Sequence, residues 1–472
     1  MQTPHDILTD LWKLAGGEVS ALDAVRLTGE EPVLPSSFRV AAAAQAPIAA
    51  SALAAAEIWR LRSGEAQSVS VDMLHAVVEC RSERYLRVDG KPSPPTWDKT
   101  AGVYRTRDAR YVRLHTNFAH HRAAVCNVLQ CEPAREKIQA ALMGWDGEAF
   151  ETAAYAGGAV VSLMRSHDEW MATPHAKALA ALPVLTIEKI GEAPPKPWTK
   201  GDRPLSGVRV LDLSRVIAAP VAGRTLAAHG ADVLLVYGPN LPGIPWLTID
   251  TGRGKLSTFI ELKSEEGRAR MRALVAEADI FSQGFRPEAI AACGFSPEEA
   301  AKINPGIVYV TLSAYGHAGP WAGRRGFDSL VQTSTGFNHA EGVAAGVEGP
   351  KELPAQMLDH ATGYLMAFGA MIAKARQARE GGSWHVRVSL AQTGRWLWNL
   401  GRVPDGLAQA DIKADAVEPF MEDVPSGFGP LHAVKHSAIL SKTPAYWRAP
   451  QCRSAPTSRN GRRGSDGGEM KR

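Results

Sequence analysis

Cysteine is scarce in this chain of 472 residues: only five are present, and no two of them form a CxxC pair. A CxxC pair is the usual sign of a redox-active dithiol or of half a structural zinc site, so the sequence indicates neither. We therefore expect a reduced protein of the cytoplasm without structural zinc.

A strong charge of either sign is also missing. The 53 Lys and Arg residues are balanced by 49 Asp and Glu residues, which leaves a net charge of +4. Such a balance gives no field that would attract nucleic acid or an anionic membrane surface. No apolar run has the length and composition to span a membrane, because the Ala-rich run 41–58 contains Gln45 and Glu57. We predict a helix there, and neither nucleic acid nor membrane as a partner.

Several motifs of nucleotide-binding and hydrolytic enzymes are absent. The segment 214–220, where a predicted strand passes into a helix, has no GxGxxG. Those glycines let the backbone approach a pyrophosphate, so their absence disfavours a nicotinamide or flavin dehydrogenase. No GxxxxGK[ST] occurs, which excludes a P-loop, and no GxSxG marks a serine nucleophile.

The later half of the chain alternates between predicted strands and helices. Apolar strands are predicted at 208–213, 231–236, 258–262, 279–281 and 307–312. Helices are predicted at 220–229 and 264–277 and after Ser296, a cap residue followed by Pro297. Strands that alternate with helices form parallel sheets covered on both faces. The sequence therefore predicts an α/β fold with a doubly wound, Rossmann-like parallel sheet.

The earlier half is predicted to hold a smaller α+β domain. A hairpin is predicted at 102–115, and helices are predicted to fill 118–190. Composition shifts suggest five parts: a lead-in with a first helix-strand unit (1–90), the small α+β domain (91–192), a Pro-rich linker (193–203), the Rossmann-like domain (204–447) and a basic tail (448–472). The tail is too polar and turn-rich to bury a core, so we expect it to be disordered.

One helix-strand unit occurs twice in the sequence. An Ala-rich helix, a Gly turn and an alternating strand end at 62–71, and the same order returns at 379–388, offset by 317 residues. A repeat of this kind indicates common ancestry or pseudo-symmetric packing, although chance similarity is the alternative. Under this offset Asp359 corresponds to Ala42.

Two groups of residues are candidates for chemistry. Asp359 precedes the apolar run 364–371, which predicts a buried helix, so the simplest role for its carboxylate is the N-cap. His115, His120 and His121 lie close in sequence, but a metal site needs convergent ligands and orienting partners. We interpret these three as surface histidines beside the predicted hairpin.

A set of motifs, in one order along the chain, carries a family resemblance. The set comprises the strand-helix-strand unit 208–236, Arg253-Gly254-Lys255, Gly284-Phe285-Arg286-Pro287, Tyr315-Gly316-His317-Ala318-Gly319-Pro320, Gly326-Phe327-Asp328, and Asp359 before its apolar helix. Together these resemble the class III (CaiB/BaiF-type) CoA-transferases, the family of formyl-CoA transferase and the carnitine CoA-transferases. Residues 41–190 look like the later portion of that family, so the parts are expected in permuted order.

The resemblance implies that Asp359 is the catalytic nucleophile. In that family a carboxylate attacks the acyl-CoA thioester and expels CoA thiolate, which leaves a mixed anhydride. The thiolate then forms an aspartyl-CoA thioester, and the acceptor acid takes over the CoA. The substrates expected are an acyl-CoA and a carboxylic acid, with CoA as substrate and no permanently bound cofactor or metal. Backbone N–H groups at the helix start are expected to keep Asp359 ionised.

The resemblance also implies a set of CoA contacts: Val216, Lys255, Phe285, Arg286, Ala289, Arg325 and Phe327. Lys255 and Arg325 match basic phosphate partners, whereas Phe327 matches an aromatic position beside the active site. Ile217, Ala292 and Tyr237 depart from residues common in the family.

Two other functions remain open at this stage. An α-methylacyl-CoA racemase shares the fold but needs two bases, and related racemases carry His where this chain has Phe327. A non-catalytic CoA-binding homologue is the second alternative, suggested by the departures and by Ala42. The resemblance implies a homodimer, and the repeat allows a pseudo-dimeric monomer instead.

Overall fold

The computed structural model describes residues 2–95, 97–239 and 241–448. Apart from Arg448, the tail predicted to be disordered lies outside these residues.

Strands and helices occur throughout the described part. The strands are β1 (Val25–Thr28), β2 (Val69–Asp72), β3 (Arg87–Val88), β4 (Lys91–Pro92), β5 (Gly102–Arg105), β6 (Tyr111–Leu114), β7 (Val161–Leu163), β8 (Leu185–Gly191), β9 (Arg209–Leu213), β10 (Asp232–Tyr237), β11 (Lys255–Phe259), β12 (Ile280–Gln283), β13 (Val308–Ser313), β14 (Ser383–Ser389), β15 (Met421–Val424), β16 (Leu431–Val434) and β17 (Ala438–Leu440). The helices are α1 (Pro4–Leu14), α2 (Val40–Ser63), α3 (Met73–Glu79), α4 (Ser82–Tyr85), α5 (Ala119–Leu129), α6 (Arg135–Leu142), α7 (Gly147–Ala156), α8 (His167–Ala172), α9 (Pro174–Leu179), α10 (Ala218–Ala228), α11 (Pro245–Thr251), α12 (Glu265–Glu277), α13 (Pro297–Ile303), α14 (Asp328–Ser334), α15 (Phe337–Ala344), α16 (Met357–Glu380), α17 (Leu390–Asn399) and α18 (Ala414–Val417).

A seven-stranded sheet forms the centre of the later half, in the order β11-β10-β9-β12-β13-β14-β8. The first six strands are parallel, and β8 pairs antiparallel with β14 at the edge. Residues of α10 and α16 pack in one apolar core, whereas α12 and α13 pack in a second core with other residues of the central strands. Helices therefore cover the sheet on both faces, which explains the nearly continuous apolar strands. The predicted α/β fold with a doubly wound parallel sheet is confirmed.

Two strands replace predicted helix in the earlier half. β7 pairs with β6, so that β5, β6 and β7 make a small sheet covered by α5, α6 and α7. β8 joins the large sheet, where Leu185 lies opposite Val388. The prediction of helices throughout 118–190 is wrong at these two places, because pairing with a distant strand decides the structure of short segments. β11 also begins three residues before the strand predicted at 258–262.

The repeat predicted from the sequence has a matching geometry. Helices α2 and α16 both have 24 residues and begin 317 positions apart. Their N-cap residues, Arg39 and Gln356, have nearly the same backbone angles, with φ −79° and ψ 55° in the first and φ −75° and ψ 60° in the second. After β2 and β14, Asp72 and Ser389 cap the next helices, again 317 positions apart. The two long helices pack against each other in the main core.

Helix α2 is long and rich in alanine. By length and composition alone it could cross a membrane, but 94% of its apolar window is buried inside the protein. Its Ala-rich surface allows close packing against α16 and α1, so α2 is a core helix of this fold.

Candidate active site

A cavity of about 660 Å³ lies beyond the carboxyl ends of β9, β10, β12 and β13. The ends of parallel strands are where open α/β sheets bind ligands. The small domain closes the opposite side of the cavity with Phe118, His120 and His121. The remaining walls come from the loops after the strands, from Arg324 to Phe327, and from the starts of α16 and α17.

Asp359 is the acidic residue at the start of α16 that lines this cavity. It is the third residue of the helix, whose N-cap is Gln356, so the prediction that Asp359 is the N-cap is wrong. The helix therefore begins three residues earlier than predicted. Asp328 supplies an acceptor for the start of the helix instead, because its Oδ2 accepts a hydrogen bond from the Asp359 backbone N–H at 3.0 Å.

The two acidic side chains at this helix start have different surroundings. Asp328 is fully buried and also accepts a hydrogen bond from the side-chain amide of Gln332. The Asp359 residue is 7% exposed, and among the described residues its carboxylate accepts no hydrogen bond. The free carboxylate therefore faces the cavity, whereas the bonded one holds the helix in place.

Burial raises the pKa of Asp359 well above its ordinary value, and the nearby Asp328 and Glu83 carboxylates raise it further. Burial likewise raises the pKa of Asp328 to about 6. The expectation that N–H groups at the helix start keep Asp359 ionised is wrong, because the N–H of Asp359 itself serves Asp328. An ionised Asp359 is consequently a carboxylate with little stabilisation, and such a group is a stronger nucleophile than one in water.

Six of the seven CoA contacts expected from the sequence line the cavity: Val216, Phe285, Arg286, Ala289, Arg325 and Phe327. The three departures, Ile217, Tyr237 and Ala292, line it too. Val216 has a positive φ of 73°, a strained value for a β-branched residue, in the turn between β9 and α10. Arg286 is exposed at the cavity, and no ion pair of the described residues includes it.

Lys255 is the exception among the expected contacts. Its ammonium group lies 2.8 Å from Oδ2 of Asp212 and 2.7 Å from the carbonyl oxygen of Pro220, and the residue is only 3% exposed. The expected phosphate contact of Lys255 is therefore wrong. Its ammonium group forms an ion pair with Asp212 beneath α10, and Lys255 does not line the cavity. Three other basic residues line the cavity: Arg215, Lys263 and Arg324. Sequence reasoning did not single out Arg215 or Lys263.

The three neighbouring histidines do not lie at the surface as expected, except for His120. His115 and His121 are 4% and 5% exposed. The ring of His115 stacks on Phe327, with centroids 3.7 Å apart and an angle of 6° between the planes. Burial lowers the pKa of both His115 and His121 to about 3, so both imidazoles are neutral at physiological pH. Their contact with Phe327 joins the small domain to the predicted active site.

The first repeat keeps the helix cap but lacks the nucleophile. The backbone N–H of Ala42 donates to Oε1 of Glu31 at 2.9 Å, just as that of Asp359 donates to Asp328. Oε2 of Glu31 pairs with Arg39 at 2.6 Å, and Arg39 also donates to the carbonyl oxygen of Gln2. At the position that corresponds to Asp359, Ala42 therefore has only a methyl side chain, beside the buried ion pair of Glu31 and Arg39.

Parts of this chain are similar to known proteins. Residues 205–412 match the family model of CoA-transferase family III. An acetyl-coenzyme A transferase, nodX, of Hypoxylon pulicicidum is 33% identical over 199 residues, which are 41% of this chain and 34% of that protein. The probable fatty acyl-CoA transferase Rv3272 of Mycobacterium tuberculosis is 31% identical over 207 residues, 41% of this chain and 52% of that protein. The crystal structure of Rv3272 aligns with a TM-score of 0.40 and 30% identity over 42% of this chain and 56% of that chain.

A longer alignment joins both halves of the chain. An acyl-CoA transferase of Gibberella moniliformis is 25% identical over 412 residues, 78% of this chain and 72% of that protein. The chain spans about a third and about half of the first two relatives. The segment 205–412 is thus similar to the CoA-transferases of family III.

Proposed function

We propose that the protein moves CoA from an acyl-CoA thioester to a carboxylic acid through a covalent intermediate on Asp359. The observation that carries this proposal is a buried carboxylate, free of hydrogen bonds among the described residues, on the wall of a cavity rimmed by basic side chains. The family match supports CoA transfer as the reaction.

In the proposed reaction the ionised Asp359 adds to the thioester carbonyl carbon. The C–S bond then breaks, the sulfur keeps the electron pair, and CoA thiolate faces an acyl-aspartyl anhydride. The thiolate attacks the aspartyl carbonyl and releases the first carboxylate, which leaves an aspartyl-CoA thioester. The acceptor carboxylate repeats these two steps in reverse. No net proton transfer and no redox step are needed, so the proposal includes no metal and no cofactor besides CoA.

The charges around the cavity suggest how CoA would lie. Arg286 and Lys263 are exposed at the cavity, where they could meet phosphates, and Arg325 lines it beside Phe327. Val216 and Phe285 line the same cavity, and their apolar surface suits a pantetheine arm. The thiol end would then come close to Asp359.

Trapping tests the proposal directly. The full chain is incubated with acetyl-CoA or succinyl-CoA and hydroxylamine, and the peptide that contains Asp359 is analysed by mass spectrometry. We expect an aspartyl hydroxamate at Asp359, and a loss of CoA exchange of about a thousandfold or more in Asp359→Ala with CoA binding retained. Exchange at the normal rate in Asp359→Ala would overturn the assignment.

The same samples distinguish the two alternatives. A racemase exchanges the proton on the α-carbon of the acyl group with D₂O but forms no hydroxamate. A non-catalytic homologue binds CoA and does neither. Phe327 cannot accept a proton, which favours transfer over racemisation.

We also propose that one chain folds as a pseudo-dimer with a single active site in the cytoplasm. The proposal is supported by the packing of α2 against α16 and by Ala42 at the position of the nucleophile. Sedimentation at working concentration distinguishes this arrangement from a homodimer of the same chain, and trapping should label one aspartate per chain.

A further inference from the structure

His121 is a polar residue on the cavity wall that the proposed reaction has not used. It is 5% exposed, and its Nδ1 is buried without a hydrogen-bond partner among the described residues. No hydrogen bond of its Nε2 occurs there either, although the residue lines the cavity that holds Asp359. A buried imidazole without a partner normally costs stability, so its position calls for a ligand.

Several buried histidines of this protein make one hydrogen bond through the imidazole ring. His175 bonds to the carbonyl oxygen of Tyr315 at 2.7 Å, His385 to the hydroxyl of Thr311 at 2.8 Å, and His436 to the carboxylate of Glu79 at 2.9 Å. Unpartnered ring nitrogens also occur in His115, His229, His360, His385 and His436, but none of these five residues lines the cavity. His121 therefore combines an unused donor with access to the proposed substrate.

Aromatic rings fix the imidazole of His121 in place. It meets Phe118 edge-on at 5.4 Å between centroids, Phe327 at 5.9 Å, and His120 at 4.2 Å. Phe327 precedes Asp328, which binds the Asp359 backbone, so this cluster connects the small domain with the nucleophile. A ring held on several sides can present one nitrogen in a constant direction, which is what a transition-state contact requires.

The charge of this imidazole matters beside a nucleophile. Burial and the neighbouring Arg325 and Arg215 disfavour the protonated ring. A neutral imidazole still has one N–H donor. A cation close to Asp359 would form an ion pair with the carboxylate and weaken its attack, whereas a neutral donor leaves the carboxylate reactive.

We propose that His121 donates a hydrogen bond from its ring to the acyl oxygen of the thioester while Asp359 adds to the carbonyl carbon. This inference rests on the proposed transfer reaction. As the Oδ–C bond forms, the carbonyl π electrons move onto the acyl oxygen, and the N–H of His121 stabilises the negative charge. When the C–S bond breaks, those electrons return and CoA thiolate leaves with the S–C pair. The proton remains on His121 throughout, so no acid or base is consumed.

The test measures acylation of the full chain by acetyl-CoA in a single turnover, with hydroxylamine trapping as the readout. We expect His121→Phe, which keeps the aromatic packing, to slow acylation by about a hundredfold. His121→Gln supplies an amide N–H in a similar place and should recover part of that loss. The Kd of acetyl-CoA should change less than about threefold in both variants, because the contact strengthens only in the transition state.

His115→Phe is the matched control. It removes a second buried neutral imidazole of the same cluster while an aromatic ring remains to stack on Phe327, and His115 does not line the cavity. Acylation should stay within about threefold of the wild type. A pH profile of the His121 variants should keep the wild-type midpoint, since a neutral donor does not titrate in the working range.

Three results would overturn the inference. Acylation at the wild-type rate in His121→Phe would show that the donor is not needed. A rise in Kd that equals the loss of rate would show a packing or binding role. A shifted pH midpoint in His121→Gln would show acid-base work. Absence of an Asp359 hydroxamate in the wild type would instead overturn the transfer proposal, and this inference with it.

Discussion

The backbone N–H of Asp359 donates to Oδ2 of Asp328 across 3.0 Å, so two carboxylates share the first turn of one helix. One accepts the hydrogen bonds of the helix start and the other faces the cavity. Burial raises the pKa of both side chains, and the neighbouring Asp328 charge raises the pKa of Asp359 further. Two interacting carboxylates of this kind titrate as a pair, and the charge on one decides how easily the other ionises.

The pH dependence of acylation should report this pair. Only ionised Asp359 attacks the thioester, so kcat/KM should rise with pH and reach half its maximum well above the ordinary range of an aspartate. Asp328→Asn removes the neighbouring charge while its side-chain carbonyl can still accept the Asp359 N–H. We expect the midpoint of its profile to move to lower pH, measured with acetyl-CoA across pH 4 to 9.

Glu83→Gln is the control for that shift. Glu83 also raises the pKa of Asp359, but less than Asp328 does, so its substitution should move the midpoint in the same direction by a smaller amount. A midpoint near that of a free aspartate in the wild type, or an upward shift in Asp328→Asn, would contradict the proposed coupling.

Asp359→Asn should make the protein more stable at neutral pH. An acid whose pKa is raised by folding binds more protons in the folded state, so the free energy of unfolding falls as pH rises through the folded pKa. Asparagine has no charge to bury. We expect Tm to increase by about 2 °C at pH 8 and by less at pH 5, measured by differential scanning calorimetry. An equal change at both pH values would show that charge burial is not the cause.

Arg286→Ala should raise KM for acyl-CoA without lowering kcat. Arg286 is exposed at the cavity, and its guanidinium is proposed to meet a CoA phosphate. Loss of one charged contact should raise KM for acetyl-CoA about tenfold and leave kcat within about twofold, with a weaker salt dependence. Arg379→Ala removes an equally exposed arginine at the far end of α16 and serves as the control. Equal effects of both substitutions would contradict a specific contact.

Arg39→Met should destabilise the first repeat without altering catalysis. Arg39 and Glu31 form an ion pair 2.6 Å long, with side chains only 5% and 9% exposed. Removing the arginine leaves a buried carboxylate unpaired, which costs about 3 kcal/mol in the free energy of unfolding by urea. The double variant Arg39→Met, Glu31→Gln should recover part of the loss, and kcat should match the wild type in both. A parallel fall in kcat would show that the two repeats are coupled.

Much of the fold could be read from the sequence because its signals are local. The five predicted strands of the large sheet are mostly apolar. The repeated helix and strand keep one offset of 317 residues through their caps. β8 has no such signal. Its residues Leu185–Gly191 are half-exposed at the edge of the sheet, and only pairing with β14 makes them a strand.

Residues of the cavity wall could be predicted where they directly follow strand ends. They could not be predicted where an ion pair forms between residues far apart in the sequence. Arg286 and Val216 follow central strands and both line the cavity, while their contact with CoA stays a prediction. Lys255 has the same appearance in the sequence, but its partner Asp212 lies 43 positions earlier. His121 could not be assigned to the site either. It lies in the first turn of α5 and lines the cavity only because the small domain packs against Phe327.

The cavity has walls from both halves of one polypeptide, with Phe118 and His121 from the earlier half and Asp359 from the later half. Dilution cannot pull these walls apart, as it can when two separate subunits build a site between them. Specific activity should therefore stay constant from micromolar to nanomolar enzyme.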